Sequence, residues 1–146
     1  MAKDASWINM GLVSWIKALL GRSDAQHIML AHAGVAFTVL DGPYQSADKP
    51  TSAAQVFAAS IVDRLEDYKR FACDHLLDLY NETWLAEEIG TLDALSFMQR
   101  LTKPSVTLYD ELGAAAIYFG DGDMFGGHYV EVWLTDGRPA SADLVG

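Results

Sequence analysis

The chain has almost no cysteine, little proline and half as many basic as acidic residues. A single cysteine, Cys73, among 146 residues excludes an internal disulfide framework, so nothing points to an oxidising compartment and a cytoplasmic location is expected. Ten Lys and Arg stand against 20 Asp and Glu, for a formal charge of −10. The basic residues are scattered apart from Lys69 and Arg70, so a phosphate backbone would be repelled and nucleic acid is not an expected partner. No apolar run reaches the about 20 residues that cross a bilayer, which argues against a membrane partner. The apolar start, residues 1–20, is interrupted by Asp4 and Lys17 and lacks an Ala-x-Ala-like cleavage site, unlike a secretory leader. Also missing are a Gly-x-Ser-x-Gly elbow, a Gly-Lys-Ser/Thr phosphate loop, a dinucleotide fingerprint and any internal repeat. Without such a constellation the reading leans away from an enzyme, and no cofactor is expected.

What is present is the composition of a folding chain, 51% hydrophobic and 21% charged, at a length that suits one domain over residues 1–146. Trp7, Ile8, Leu12, Trp15, Ile16 and Leu19 recur at three- and four-residue steps, predicting an amphipathic helix within residues 1–22. Alternation over residues 27–40 predicts two strands, with Ala33-Gly34 as a tight turn or bulge. Ser52 and Gln55 have capping-box spacing. The stripe Ala58, Ile61, Leu65, Tyr68, Ala72, Leu76 and Leu79 then predicts one helix from Ser52 to Leu79, about 42 Å long. Asn81 interrupts it, and Thr91 is placed to cap a last short helix within a helical region spanning 52–101. Residues 105–146 read as strands, joined by Gly120–Gly127 and by Thr135-Asp136-Gly137. Helices and strands in blocks predict an α+β fold, with an antiparallel, hairpin-connected sheet packed against the long helix.

The densest polar cluster is Gly120-Asp121-Gly122-Asp123-Met124-Phe125-Gly126-Gly127-His128. It departs from a calcium loop, because Phe125 and Val132 stand where oxygen ligands are needed. A metal-dependent hydrolase with Asp121, Asp123 and His128 as ligands is the enzyme alternative. The favoured reading gives the aspartates to turns and His128 to the core, where it would share a strand face with Val130, Val132 and Leu134. Tyr129, Glu131 and Trp133 would point the other way, with Tyr129 and Trp133 as exposed aromatics. His27, His32 and His75 form no ligand spacing, and Cys73 in mid-helix reads as packing.

The segments Leu76-Leu77-Asp78-Leu79-Tyr80-Asn81-Glu82-Thr83-Trp84-Leu85, Ile117 to His128 and the closing Ala142-Asp143-Leu144-Val145-Gly146 resemble, in that order, a family of uncharacterised bacterial proteins. That family carries an Asn-x-x-Trp helix end and an acidic loop running into Phe-x-Gly-His. The resemblance covers 52–146 and assigns Asn81, Trp84, Phe125, Gly127 and His128 as motif positions. It departs at Gly126, where the family has a bulky aromatic, often Trp. It implies a fold and no activity. By analogy with small acidic immunity proteins, and from the charge, a non-enzymatic role in neutralising a cationic protein partner is expected.

Overall fold

A computed structural model describes residues 28–40, 42–46 and 49–146. The predicted helix in residues 1–22 lies outside them. In chain order come β1 (Ile28–His32), β2 (Val35–Val39), β3 (Gln45–Ser46) and β4 (Lys49–Pro50). Then follow α1 (Ser52–Asp63), α2 (Leu65–Leu79), a π-helical turn (Tyr80–Trp84) and α3 (Ala94–Arg100). Last are β5 (Thr102–Leu108), β6 (Ala115–Gly120), β7 (Tyr129–Thr135) and β8 (Arg138–Val145). The architecture is α+β: one six-stranded sheet ordered β1-β2-β5-β6-β7-β8, a small β3-β4 ladder, and helices laid on one sheet face.

The two-residue turns explain the hairpins. Ala33 and Gly34 join β1 to β2, and Asp136 and Gly137 join β7 to β8, all four at positive φ, the backbone that matches the twist of paired strands. Alternation decides which side chains go inward. Val35, Phe37 and Val39 of β2, Val106 and Leu108 of β5, Ile117 and Phe119 of β6, and Val130, Val132 and Leu134 of β7 share one core with the helices.

The sheet is mixed, where an antiparallel one was expected: β2 pairs in parallel with β5, Ala36 opposite Ser105 and Val39 opposite Leu108. A two-residue turn can only reverse a strand, but the excursion from 40 to 101 is long enough to return the chain to the starting end of β2. The expected single helix is two, broken at Arg64 (φ −112°, ψ 14°). α1 buries Ala54, Ala58 and Ile61 beside β1 and β2, while α2 buries Tyr68, Ala72, Cys73 and Leu76 against β7 and β8. A straight rod could not follow both ends of a twisted sheet.

The caps also sit one and two residues away from the expected ones. Thr51, not Ser52, caps α1, its Oγ1 accepting from the Ala54 amide at 3.2 Å while donating to the Pro43 carbonyl at 2.9 Å. Asp93, not Thr91, caps α3 by accepting from the Ser96 amide at 2.8 Å. In both cases the neighbour two or fewer residues away has the same capping chemistry, and tertiary placement decides between them.

Candidate functional site

The loop between β6 and β7 is organised by Asp121. Its carboxylate is buried and accepts three backbone amides: Oδ1 from Asp123 at 3.0 Å, Oδ2 from Phe125 and from Gly127, each at 2.9 Å. Arg100 Nη1 fastens the same loop by donating to the Gly122 carbonyl at 2.8 Å. Glycine is required at 122: φ is +55°, and a Cβ there would lie 2.5 Å from the Arg100 carbonyl oxygen. Asp123 is exposed at φ 67°. His128 is half-buried at the core margin, with Nδ1 donating to the Phe125 carbonyl at 2.7 Å. The Asp121 carboxylate and the His128 ring are thus each committed to backbone groups of the loop, and the Asp123 side chain is exposed. Among the described residues no group of three or more His, Cys, Asp or Glu side chains gathers where it could hold a metal ion.

Of the motif positions, Trp84, Phe125 and His128 come together. Phe125 is fully buried and meets Tyr80, Trp84 and Phe97 edge-on at centroid distances of 5.9, 5.7 and 6.2 Å, and Trp84 meets His128 at 5.5 Å. Such edge contacts suit the quadrupoles of the rings. Gly127 serves through its amide on Asp121. Asn81 points elsewhere: Nδ2 donates to the Leu92 carbonyl at 3.0 Å and Oδ1 accepts from the Leu92 amide at 2.9 Å. Tyr80 Oη donates to the Gly90 carbonyl at 2.8 Å and accepts from the Ala86 amide at 3.2 Å. The two side chains tie down the 85–92 loop, next to the turn where the helix widens to an i→i+5 bond, Leu85 N to Tyr80 O at 2.7 Å. The motif therefore latches the end of α2 to the β6–β7 loop. At Gly126 (φ +66°) a Cβ would sit 3.6 Å from the Trp84 ring.

The opposite sheet face carries a second polar cluster. Strand register places Ser105, Tyr118, Glu131 and Asp143 in one row across β5, β6, β7 and β8. The next row is Thr107, Ala116, Trp133 and Ser141. Tyr109, just beyond β5, packs its ring against Trp133 at 4.9 Å, tilted by 53°, so Trp133 is half-buried rather than exposed, while Tyr129 is 47% exposed. Tyr118 is only 2% exposed, and its buried hydroxyl lies against the Glu131 carboxyl and the Tyr109 hydroxyl.

Electrostatics mark this row. Burial pushes the Glu131 carboxyl up to about 7; the nearby Tyr118 hydroxyl works against that shift and the Asp143 carboxylate adds to it. Burial also holds the Tyr109 and Tyr118 hydroxyls well above the ordinary phenol range, so they stay neutral. A carboxyl poised near neutrality can serve a cation as acceptor or give up a proton as an acid. Sequence reasoning passed over Tyr118 and Glu131. Tyr118 lies in a nearly continuous apolar run, and only the β6–β7 register brings it opposite the single carboxylate flanked by Tyr129 and Trp133.

The other singled-out residues hold structural positions. Cys73 is buried, with its thiol 3.8 Å from the Ala94 carbonyl, and burial raises its pKa, reinforced by Asp74, the opposite of what a nucleophile needs. His75 lies on its own helix, Nδ1 donating to the Phe71 carbonyl at 2.9 Å. His32 is exposed at the end of β1.

The fold and these two clusters define a small α+β protein with a latched acidic loop on one side of its sheet and an acidic, aromatic row on the other. The chain belongs to a family described as uncharacterised protein conserved in bacteria (DUF2262), whose model matches residues 33–144. That span takes in β2, which the motif resemblance alone left out. Comparison with curated proteins and with solved structures finds no match. No helix among the described residues is long and apolar enough to cross a membrane.

Proposed function

We propose that the protein is a non-enzymatic binding protein that takes a cationic protein partner on the sheet face turned away from α1, α2 and α3, in the manner of an immunity protein neutralising a basic toxin domain. The observation that carries this reading is the register of Glu131 opposite Asp143 on adjacent strands. Like charges directly opposed cost the free sheet stability, and a cation placed between them relieves that cost. Tyr129, exposed, and Trp133, half-buried, flank Glu131 along β7 and supply the accessible rings that interface centres favour. The net charge of −10 would steer such a partner inward.

Purification of the tagged protein from its native bacterium at low salt is expected to recover a basic protein. Once isolated, that protein should bind the Asp143→Lys variant at least about 10-fold more weakly than the wild type. Equal binding of both, or a substrate screen that finds hydrolase activity where no partner is recovered, overturns the reading.

A further inference from the structure

A strand in a sheet with helices on one side only should alternate, one residue toward the core and the next toward water. β6 does not: Ala115 to Phe119 are buried at every position. Ala115, Ile117 and Phe119 point into the core beneath the helices. Ala116 and Tyr118 point the other way, as does Thr107 beside them on β5, and the three are 0, 2 and 2% exposed. Among the described residues no helix lies on that face. Toward its margins the face opens: Met29 is 63% exposed, and Ala36, Tyr129 and Asp143 are exposed too. Closure at the centre alone is the footprint of one narrow element laid along the middle strands, because a tyrosine on a bare sheet would show part of its ring to water.

We infer that residues 6–20 are that element: an amphipathic helix of this same chain whose apolar stripe packs on β5 and β6, so that the sheet lies between two helical layers. The stripe Trp7, Ile8, Leu12, Trp15, Ile16 and Leu19 needs a surface to cover it, and the centre of this sheet face is closed by nothing else described. The dimensions agree. A helix is about 10 Å across with its side chains, or two strand spacings, which is the width of a closed strip that is tightest at β5 and β6 and gives way to half-buried Glu131 and Trp133 on β7.

The chain before β1 also ends where this arrangement needs it. β1 begins at Ile28 on the sheet edge, three strand steps from β6, which is about 14 Å. The connector from Gly21 to His27 extends to about 23 Å, enough to cross those steps and rise to a second layer. The docked segment leaves the β7–β8 margin, where Tyr129 and Asp143 are exposed, to the partner proposed above, and neither reading depends on the other.

The test is hydroxyl-radical footprinting of the full chain, read by mass spectrometry, with NMR on the same samples. In the wild type Tyr118 is expected to label at least about 10-fold more slowly than Tyr129, and the Leu12 and Ile16 methyls to show NOEs to the Tyr118 ring. Leu12→Asp sets a charge in the stripe and should raise Tyr118 labelling at least about fivefold, while Phe125, buried on the helix side, stays protected. Met10→Asp, on the opposite side of such a helix, should leave Tyr118 as it is in the wild type. Wild-type labelling of Tyr118 as fast as Tyr129, the same response to both substitutions, or the absence of those NOEs overturns the inference. NOEs that arise only between labelled and unlabelled chains in a mixed sample give the face to the segment of a second copy and overturn it too. If Leu12→Asp unfolds the whole chain, so that Phe125 labels as well, the wild-type NOEs alone decide.

Discussion

Asp121 commits both carboxylate oxygens to backbone amides of its own loop, so its removal strands three donors at once. Asp121→Ala is expected to destabilise the protein by about 2 to 4 kcal/mol, with Asp121→Asn costing less because its Oδ1 still accepts. Urea denaturation reads the difference, and a loss below about 0.5 kcal/mol would mean that water satisfies those amides. Glu131 makes the opposite prediction. Its folded-state carboxyl, near 7 against an ordinary value of 4.5, binds a proton more tightly than the unfolded chain does. The stabilisation is therefore fully present below about pH 4.5 and is lost as pH rises through about 7, on the order of 3 kcal/mol in all. Glu131→Gln should flatten this fall and be more stable than the wild type at pH 8, as thermal melts from pH 4 to pH 8 would record. Asp121 lies in the loop after β6 and Glu131 within β7. Only the local glycines announced the first, and nothing short of the cross-strand register distinguished the second.

The helices show how far periodicity reaches and where it stops. The 3.6-residue stripe found the buried Ile61, Tyr68, Ala72 and Leu76, yet it ran straight through Arg64, where the structure turns. Leu65, at the start of α2, is consequently half-buried while Leu76 is 5% exposed. Leu76→Ala should cost about 2 to 4 kcal/mol and Leu65→Ala about half as much; equal losses in chemical denaturation would restore a straight helix. Such a bend is invisible to a hydrophobic pattern, because the same stripe serves a rod on a flat surface and a broken rod on a twisted one. Strand limits were read more closely. The strand region expected from residue 105 starts within three residues of β5, and the connections expected at 120–127 and 135–137 fall within one residue of the observed ones, because alternation and two-residue turns are local signals. The parallel partnership of β2 and β5 is not local, and no period encodes it.

Across the whole molecule the charge of −10 acts at distances no single contact reaches. Association with a basic partner should slow by at least about 10-fold between 20 and 500 mM salt, with dissociation changing far less, as stopped-flow mixing would measure. A salt-independent association rate would leave the attraction to short-range contacts alone. The α+β class was legible because blocks of helix and strand follow from periodicity; that Trp84, Phe125 and His128 meet in space was not, because they come from two segments that only the fold brings together. The acidic row was not legible, since it exists only when four strands lie side by side.

The parallel contact of β2 with β5 also sets an order of assembly. As the chain leaves the ribosome, the β1–β2 hairpin emerges early, but its pairing edge has no neighbour until Leu108 has been made, after the whole helical excursion. The β5–β8 meander, by contrast, closes through successive neighbours. Sheet formation should therefore begin in the C-terminal half and recruit the early hairpin last, leaving β2 through that interval as an open template for other nascent chains.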